Sequence, residues 1–350
     1  MPVVWSDQCL LHEPGGEVWI GLPAPPDEPP ARAALIRDAL LGAGAPLVEA
    51  EKHPDDPILA VHERGLVEFL RDAWEAWVAA GYPEDPGQDR VVPYIFLHPG
   101  LVEGVRATVP SSTAARTGFY AFDTMTPVGP ETWTAVRAAI DVALTAADLV
   151  LAGAPAAYAC TRPPGHHVTA SAYGGSCYLN TTAITAQYLR DRGFERVAIV
   201  DVDAHHGNGA QSIFWQRGDV FTASIHADPA AGSFPHFYGS ADETGAGEGT
   251  GANLNVALAP GSGDEAWVAA VEEVVGTVRA DGLVVALGVD AAELDRYAPL
   301  RVTADGFRVG GRLLGSLGLP AVVVQEGGYD LASLGQNVLA VLEGMEEGAL

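Results

Sequence analysis

The chain is predicted to fold as one α/β domain around a parallel, doubly wound sheet. The first observation is that, from residue 131 onward, short apolar runs alternate with amphipathic segments of helical length. The second is that several of these runs end in polar clusters, and parallel α/β sheets bind ligands outside the carboxyl ends of their strands. The third is that no linker-like stretch follows residue 131, which favours one domain over residues 1–350.

The predicted elements follow from these periodicities. Strands are expected at residues 3–5, 156–160, 197–201, 220–225, 253–257, 283–287 and 321–324. Helices are expected at residues 31–41, 60–80, 132–152, 180–192, 209–217, 264–280, 304–317 and 331–344. Residues 81–130 mix prolines, glycines and aromatics with little periodicity. Because loops of this length are usually functional, this insertion is interpreted as a rim over a site or a homodimer contact, with an irregular surface excursion as the alternative.

The composition restricts the partners and the compartment. With 19 basic and 45 acidic residues the formal net charge is −26, which argues against binding nucleic acid through its phosphates. The acidic surface would suit a cationic substrate, although solubility alone is the simpler explanation. Three cysteines that lie far apart form no disulfide framework, so the reducing cytoplasm is the expected location. No stretch approaches the ~20 apolar residues of a membrane helix, and residues 1–20 lack a signal-peptide pattern.

The stretch 197–211 is the centre of the chain, because a buried-strand pattern changes abruptly there to acids, histidines and glycines. Asp201, Asp203 and His205 are spaced by two, so they share one side of the extended strand end. A carboxylate and an imidazole that converge on one point are natural ligands of a divalent metal. The alternative, that the acids only cap the following helix, requires a rare cluster to arise by chance. The His206 side chain should point away from His205, so it is not predicted as a ligand.

A third metal ligand is expected from Asp290, which follows the apolar run 283–287. Asp203, His205 and Asp290 make a three-ligand set with a fourth position open for water, the pattern of a catalytic zinc site. Such an ion lowers the pKa of its bound water and polarises a substrate carbonyl. Asp201 would lie behind the ligands, where its oxygens could hold a histidine tautomer or a monovalent cation.

Two further strand-end clusters supply the groups that amide chemistry needs. The adjacent His166 and His167 are predicted to serve as general base and general acid, although alone they would equally suit a loop pair. Tyr329 follows a Gly-Gly turn, expected to be flexible, and its hydroxyl could donate to a developing oxyanion. A lone tyrosine there would more often be a packed turn residue. Five such clusters on one edge of the sheet, however, indicate an active site.

Four motifs in this order resemble the zinc-dependent histone deacetylase superfamily. They are Arg-Pro-Pro-Gly-His-His at 162–167, Asp-Val-Asp-Ala-His-His-Gly-Asn-Gly at 201–209, Gly-Val-Asp at 288–290 and Glu-Gly-Gly-Tyr at 326–329. Flanking segments, such as Ser-Ile-His-Ala-Asp-Pro at 224–229, make the chain most similar to the bacterial acetylpolyamine amidohydrolases of that superfamily. The resemblance covers residues 130–345 closely and the N-terminal part more loosely.

The resemblance implies the arginase–deacetylase fold, with an eight-stranded parallel sheet between helix layers. It implies hydrolysis of an N-acylated small-molecule amine, with Zn²⁺ (or Fe²⁺) as the catalytic ion and K⁺ as a structural ion. The residues that it assigns are the zinc ligands Asp203, His205 and Asp290; the histidine pair His166 and His167, the second as base and acid; the carbonyl-polarising Tyr329; Asp201, Ser224 and Ile225 at the potassium site, with the backbone at Asp203 and His205; and Phe234, Gly175 and Ser176 in the substrate tunnel.

Three departures from the family pattern concern the substrate rather than the chemistry. Ser176 occupies the tunnel position that is usually aromatic, so that wall is expected to be wider or more polar. Polyamine-active members carry acids on the long loop, but residues 104–122 contain none and hold Arg106 and Arg116 instead. Glu103 or Asp123, at the edges of that stretch, would have to turn inward to hold a distal ammonium. The family's Asp-Pro step is replaced at residues 295–296 by Asp-Arg.

Several functions are compatible with these motifs. The first is removal of an acyl group from acetylpolyamine-type amines. The second keeps the chemistry but acts on acyl-lysine proteins or on an N-acetylated secondary metabolite. A non-catalytic binding module would be favoured by a missing site residue, and none is missing. An arginase-like hydrolase with two manganese ions would need more Asp and His ligands than the site supplies.

Overall fold

A computed structural model describes residues 1–297 and 299–350. The strands are β1 Val3–Trp5, β2 Glu17–Trp19, β3 Leu22–Ala24, β4 Leu47–Glu49, β5 Ala156–Ala159, β6 Val197–Asp201, β7 Val220–Ala227, β8 Asn253–Leu258, β9 Gly282–Leu287 and β10 Ala321–Gln325. The helices are α1 Ala31–Gly42, α2 Asp56–Leu59, α3 Arg64–Ala79, α4 Thr113–Tyr120, α5 Thr132–Leu151, α6 Thr181–Asp191, α7 Asn208–Phe214, α8 Asp264–Thr277, α9 Ala304–Gly315 and α10 Leu334–Gly348. Every helix of the described ranges is too short or too polar to cross a bilayer.

Eight strands form one sheet in the order β4-β1-β5-β10-β9-β6-β7-β8, and every neighbouring pair is parallel. This confirms the predicted eight-stranded parallel sheet. Strands β2 and β3 lie apart as an antiparallel hairpin. Because all eight strands run the same way, their carboxyl ends meet at one edge, where β6 lies between β9 and β7.

Helices cover both faces of the sheet, as the apolar strands require. In β10, Val322 and Val324 point into a core built with α3, α5 and α6, whereas Val323 points into a core built with α1, α8, α9 and α10. This alternation follows from the period of two in a strand. Both cores are closed by large buried side chains, among them Phe69 on one face and Trp267 on the other.

The last two helices pack with their backbones in contact. A Cβ at Gly311 in α9 would lie 2.2 Å from the carbonyl oxygen of Val341, and one at Gly344 in α10 would lie 2.1 Å from that of Arg308. One turn further along, Gly315 and Gly348 approach carbonyl oxygens of the opposite helix in the same way. No side chain fits between α9 and α10 at these positions, so the glycines set the distance between the two helices.

The structure corrects the sequence expectations mainly in the N-terminal part. The helix expected at 60–80 begins at Arg64, after a turn in which the N–H of Glu63 donates to the carbonyl of Ala170 over 2.8 Å. The aperiodic stretch 81–130 contains α4, which is only eight residues long. Strands β2, β3 and β4 have three residues each and are partly exposed, so they lack the continuous apolar run by which the equally short β1 was predicted.

Candidate active site

Three side chains converge at the carboxyl edge of the sheet, where β6 and β9 end. Ligand atoms of Asp203, His205 and Asp290 all lie within 4.8 Å of one another. The Nδ1 atom of His205 is 3.1 Å from an oxygen of Asp203 and 2.9 Å from one of Asp290. Both carboxylates are fully buried. Two buried carboxylates and one imidazole are a donor set that a divalent metal needs and that an empty apolar core would not hold.

Glycines make the space in which this cluster sits. A Cβ at Gly288 would lie 2.0 Å from a carboxylate oxygen of Asp203, and one at Gly327 would lie 2.4 Å from the same oxygen. The N–H of Gly327 donates to Asp203 over 2.8 Å, and that of Ala204 donates to Asp290 over 2.7 Å. These bonds orient the carboxylates and leave His205 the most accessible of the three. The residues therefore fit a metal ion of the predicted kind.

His166 lies beside this cluster in a negative environment. Its Nδ1 atom is 2.8 Å from an oxygen of Asp201, and its Nε2 atom is 3.8 Å from one of Asp203. Burial disfavours the charged imidazolium, but the two carboxylates outweigh burial and raise the pKa of His166 to about 10. The environment of His166, and Asp201 above all, therefore favours its protonated form.

His167, the next residue, lies in the opposite environment. Its Nδ1 atom is 2.7 Å from the side-chain oxygen of Asn208, whose amide nitrogen donates to the His167 carbonyl over 3.0 Å. Since the amide oxygen can only accept, His167 carries its proton on Nδ1 and leaves Nε2 free to accept one. Burial lowers the pKa of His167 well below its usual value, and the charge on the neighbouring His166 lowers it further. A neutral imidazole of this kind suits a general base.

The turn that carries Tyr329 is clamped on both sides, which corrects the expectation of a flexible turn. The carboxylate of Asp295 accepts the N–H of Tyr329 over 2.6 Å. The Arg32 guanidinium donates to the carbonyls of Gly328 and Glu326 over 2.5 and 2.7 Å, and it lies 4.7 Å from the centre of the Tyr329 ring. Burial raises the pKa of the Tyr329 hydroxyl well above its usual value, so the hydroxyl stays a donor.

Sequence reasoning missed a buried charge network under this turn. The same oxygen of Glu28 accepts from Arg32 over 2.7 Å and from Arg162 over 2.8 Å. Arg162 also donates to the carbonyls of Cys9 and His12 over 3.0 and 2.7 Å. The only signal in the sequence is the spacing of four between Glu28 and Arg32, which on its own indicates no more than an exposed helical pair.

Glu326 opens the Glu-Gly-Gly-Tyr motif quoted above, but the sequence assigned it no role; it lies under the loop of the two histidines. Its carboxylate accepts the N–H groups of Gly165 and His166 over 2.6 and 3.1 Å and the hydroxyl of Thr182 over 2.8 Å. Burial raises the pKa of Glu326 to about 7. Glu326 thus ties the histidine loop to the strand end that leads to Tyr329.

The residues expected at a potassium site lie side by side. The register of β6 and β7 pairs Asp201 with Ser224, and Ile225 follows on β7. Asp201 accepts the N–H of Asp203 over 3.1 Å, and the Ser224 hydroxyl accepts the N–H of Gly207 over 3.2 Å. The geometry brings these groups together but leaves the identity of an ion to the resemblance.

One wall next to His167 is aromatic. The Phe234 ring lies 4.9 Å from that of His167. Gly175 has a φ of 63°, and a Cβ there would lie 2.4 Å from the His167 ring and 3.0 Å from the Phe234 ring. Opposite Phe234 is Phe122, with ring centres 6.5 Å apart and planes 25° apart. Phe122 thus adds a second aromatic ring to this wall, while the wider or more polar wall at Ser176 stays a prediction.

Neither acid proposed for the distal ammonium turns inward freely. Asp123 accepts the N–H groups of Gly175 and Met125 over 2.5 and 2.9 Å, so its carboxylate holds the wall in place. Glu103 is exposed beyond the turn Pro99–Leu101, and within the described residues no contact joins it to the site. His206 points away from the cluster, as expected, with Nε2 3.1 Å from Gln211.

The site thus consists of two regions, a floor and a mouth. The floor is the buried set His166, Asp201, Asp203, Asp290 and Glu326. The mouth is the partly exposed set around Tyr329 and Phe234, namely Asp27, Phe122, Ser176, Phe234, Arg296 and Tyr297. His167, His205 and Tyr329 lie between these two regions, next to the buried Asp203 and Asp290.

This fold and this site define the class of protein. The model of the histone deacetylase domain matches residues 26–345. The chain belongs to the histone deacetylase domain family and is an enzyme of the deacetylase class, which confirms the resemblance seen in the motifs.

Individual relatives are similar over nearly the whole chain. An acetylpolyamine amidohydrolase of Mycoplana ramosa is 38% identical over 349 residues, covering 99% of both chains. One of Burkholderia pseudomallei is 41% identical over 343 residues, covering 97% of this chain and 96% of its own. A crystal structure of an acetylpolyamine aminohydrolase from Burkholderia pseudomallei, soaked in iodide, superposes with a TM-score of 0.93 at 39% identity, covering 99% of both chains.

Proposed function

We propose that this enzyme hydrolyses the amide bond of N-acetylated small amines, with acetylpolyamines as its substrates and acetate and the free amine as its products. The observation that carries the proposal is the convergence of Asp203, His205 and Asp290 with the two histidines and Tyr329 at one strand edge. The names of the relatives support the substrate class.

Each residue has a role that follows from its surroundings. A zinc ion bound by Asp203, His205 and Asp290 would polarise the amide carbonyl and activate a water molecule. His167, neutral with Nε2 free, would take a proton from the water and return it to the leaving nitrogen. His166, whose protonated form Asp201 favours, would add positive charge beside the reacting atoms. The Tyr329 hydroxyl would donate to the oxygen on which negative charge develops.

The finer assignments of ions and compartment rest on chemistry and resemblance. The donor set of two carboxylates and one imidazole suits Zn²⁺ and also Fe²⁺, and metal analysis of protein purified under anaerobic conditions distinguishes the two. K⁺ is proposed at Asp201, Ser224 and Ile225. The three cysteines are free and buried, which suits a cytoplasmic enzyme.

The direct test is release of free amine from acetylputrescine, acetylcadaverine, acetylspermidine and an acetyl-lysine peptide. Zinc-loaded protein is compared with the same protein after chelation. Chelator-sensitive turnover of the three polyamines is the expected result. Turnover of the peptide alone would favour a protein deacylase. Arg106 and Arg116 of the long loop motivate that alternative. No turnover with metal bound would contradict the proposal and direct the search to acylated metabolites.

A homodimer contact is proposed at the exposed apolar segment 94–105. Tyr94, Leu101 and Val105 are each about two-thirds exposed or more. This segment is attached to α4, where the carbonyl of Gly118 accepts the N–H of Leu97 over 2.9 Å. A second copy of this chain would cover it. Light scattering should give the mass of a dimer, and a monomer would remove the proposal.

A further inference from the structure

Two residues of the mouth, Tyr297 and Asp27, form a chain of contacts that starts at the ring of Tyr329. The ring of Tyr297 packs edge-on against that of Tyr329, with centres 5.2 Å apart and planes at 83°. The hydroxyl of Tyr297 donates to a carboxylate oxygen of Asp27. Asp27 is therefore joined through Tyr297 to the ring of Tyr329, and its own side chain is partly exposed to solvent.

The position of Asp27 is fixed by its neighbours. Its N–H donates to Glu17 over 2.9 Å, and Glu17 belongs to the hairpin of β2 and β3. The next residue, Glu28, is buried and bonded to two arginines. The Asp27 side chain is nevertheless 33% exposed. The neighbours of Asp27 thus fix its position while its carboxylate stays partly exposed to solvent. Such a group needs little reordering when a ligand binds.

We propose that Asp27 binds the distal ammonium of the substrate amine and that Tyr297 is its positioning residue. The inference rests on the proposed function and names the group that makes it selective for cationic amines. The mouth needs such a group, since residues 104–122 contain no acid and Asp123 is occupied in holding Gly175. A net charge of −26 adds long-range attraction for a cation but no selectivity at the mouth.

Arg296 competes with the ammonium for the same carboxylate. One of its guanidinium nitrogens is 3.3 Å from the Asp27 oxygen, but the Arg296 side chain is 75% exposed. Exposed ion pairs of this kind are weak, so a substrate ammonium that is anchored by its amide end can displace the arginine. This predicts effects of opposite sign at the two positions.

The test compares Asp27→Asn and Arg296→Gln on two substrates that differ in charge. Acetylputrescine carries the ammonium, and N-pentylacetamide carries a methyl group in its place. In Asp27→Asn the ratio of kcat/KM for acetylputrescine to that for N-pentylacetamide should fall about tenfold, mainly through KM, because a charge-assisted hydrogen bond is lost. In Arg296→Gln the ratio should rise.

Two further variants serve as controls. Asp72→Asn removes the same charge from the exposed face of α3, where Asp72 pairs with Arg71, and should leave the ratio unchanged. Tyr297→Phe keeps the ring against Tyr329 and removes the hydroxyl that holds Asp27. It should raise KM for acetylputrescine with little change in kcat, whereas a merely structural role would lower kcat on both substrates.

Calorimetry of putrescine binding separates the inference from the proposed function, because it needs no turnover. Putrescine should bind the metal-loaded protein and bind Asp27→Asn about tenfold more weakly. Binding that depends on Asp27 in a protein without deacetylase activity would support the inference and reject the function. Equal ratios in the wild-type protein and Asp27→Asn, or putrescine binding that is indifferent to Asp27, would overturn the inference and leave the deacetylase chemistry standing.

Discussion

The floor and the mouth of the site are built in different ways. In the floor, Asp203 and Glu326 are at most 1% exposed and each accepts two backbone N–H groups. In the mouth, the Asp27 side chain is one-third exposed and that of Arg296 three-quarters exposed. The buried floor therefore determines the chemistry, whereas substitutions in the mouth can change substrate selectivity and leave the chemistry intact. Changes in the floor should act on kcat and stability, and changes in the mouth should act on KM.

The largest effect is expected where the two regions meet, at Tyr329. Tyr329→Phe removes the donor to the developing oxyanion and keeps the ring between Arg32 and Tyr297. Loss of one such donor should lower kcat about 10²–10³-fold. Metal content, measured by atomic absorption, should be unchanged, because Tyr329 is not a ligand. Unaltered turnover would remove the role assigned to this hydroxyl.

The next effect concerns the support of the floor and depends on pH. His62 is buried, with Nδ1 3.0 Å from the Thr169 carbonyl and Nε2 accepting the N–H of Asn180 over 2.9 Å. Burial lowers the pKa of His62 to about 4. The unfolded chain takes up a proton near pH 6.5 and the folded one only near 4, so stability is lost as pH falls between these values, by about 3 kcal/mol.

Urea unfolding at pH 7 and pH 4.5 measures this loss. His62→Gln cannot take up the proton, so its stability should change less between the two pH values than that of the wild-type protein. Parallel pH dependences in the two proteins would show that His62 is not the group responsible.

A smaller effect tests the difference between the two adjacent histidines. Asn208→Asp would give His167 the carboxylate partner that His166 already has. A carboxylate raises the pKa of an imidazole, so the acidic limb of the profile of kcat/KM against pH should move to higher pH. His167 must be neutral to accept a proton, which is why activity is lost on that side. An unmoved limb would mean that another group controls it.

The smallest effect is expected at the aromatic wall. Phe122→Ala removes the ring that faces Phe234, and such pairs contribute about 0.5–1.5 kcal/mol beyond their buried area. KM for acetylputrescine should rise several-fold and kcat should hold. Phe119→Ala, in the same helix-bearing segment, is the control. A fall in kcat with unchanged KM in Phe122→Ala would assign this ring to the floor.

The floor and the mouth also differ in how far their residues could be predicted from the sequence. The ligands, His166, His167 and Tyr329 each follow a periodic strand pattern, and parallel strands bring such residues to one edge. Asp27, Phe122 and Tyr297 lie in aperiodic segments, and only tertiary packing brings them to the mouth. Ser176 showed that an aromatic ring was missing, but nothing local indicated that a ring on another loop would face Phe234.

The buried network was out of reach for another reason. Glu28 and Arg32 look like an ordinary helical pair. In the fold, however, Arg32 also donates to backbone carbonyls nearly three hundred residues away, and Glu28 also accepts from Arg162. Every residue carries a backbone carbonyl, so the sequence does not indicate which carbonyl accepts a hydrogen bond from a side chain. Helix α4 is shorter than the window in which periodicity can be recognised, and strands β2 to β4 are both short and partly exposed, so neither gave a signal.

The glycine contacts between α9 and α10 have a consequence for how the enzyme can open. Helices that are separated by side chains can shift past one another when those side chains change rotamer. At Gly311 and Gly344 the backbones of the two helices are in contact, so no change of side-chain rotamer there can let them shift. We therefore expect α9 and α10 to move as one rigid unit. The turn of Tyr329 leads into α10, and a Cβ at Gly328 in this turn would lie 2.7 Å from the side chain of Leu334, the first residue of α10. We therefore expect any opening of the site to involve the mouth and not a shift of α9 against α10.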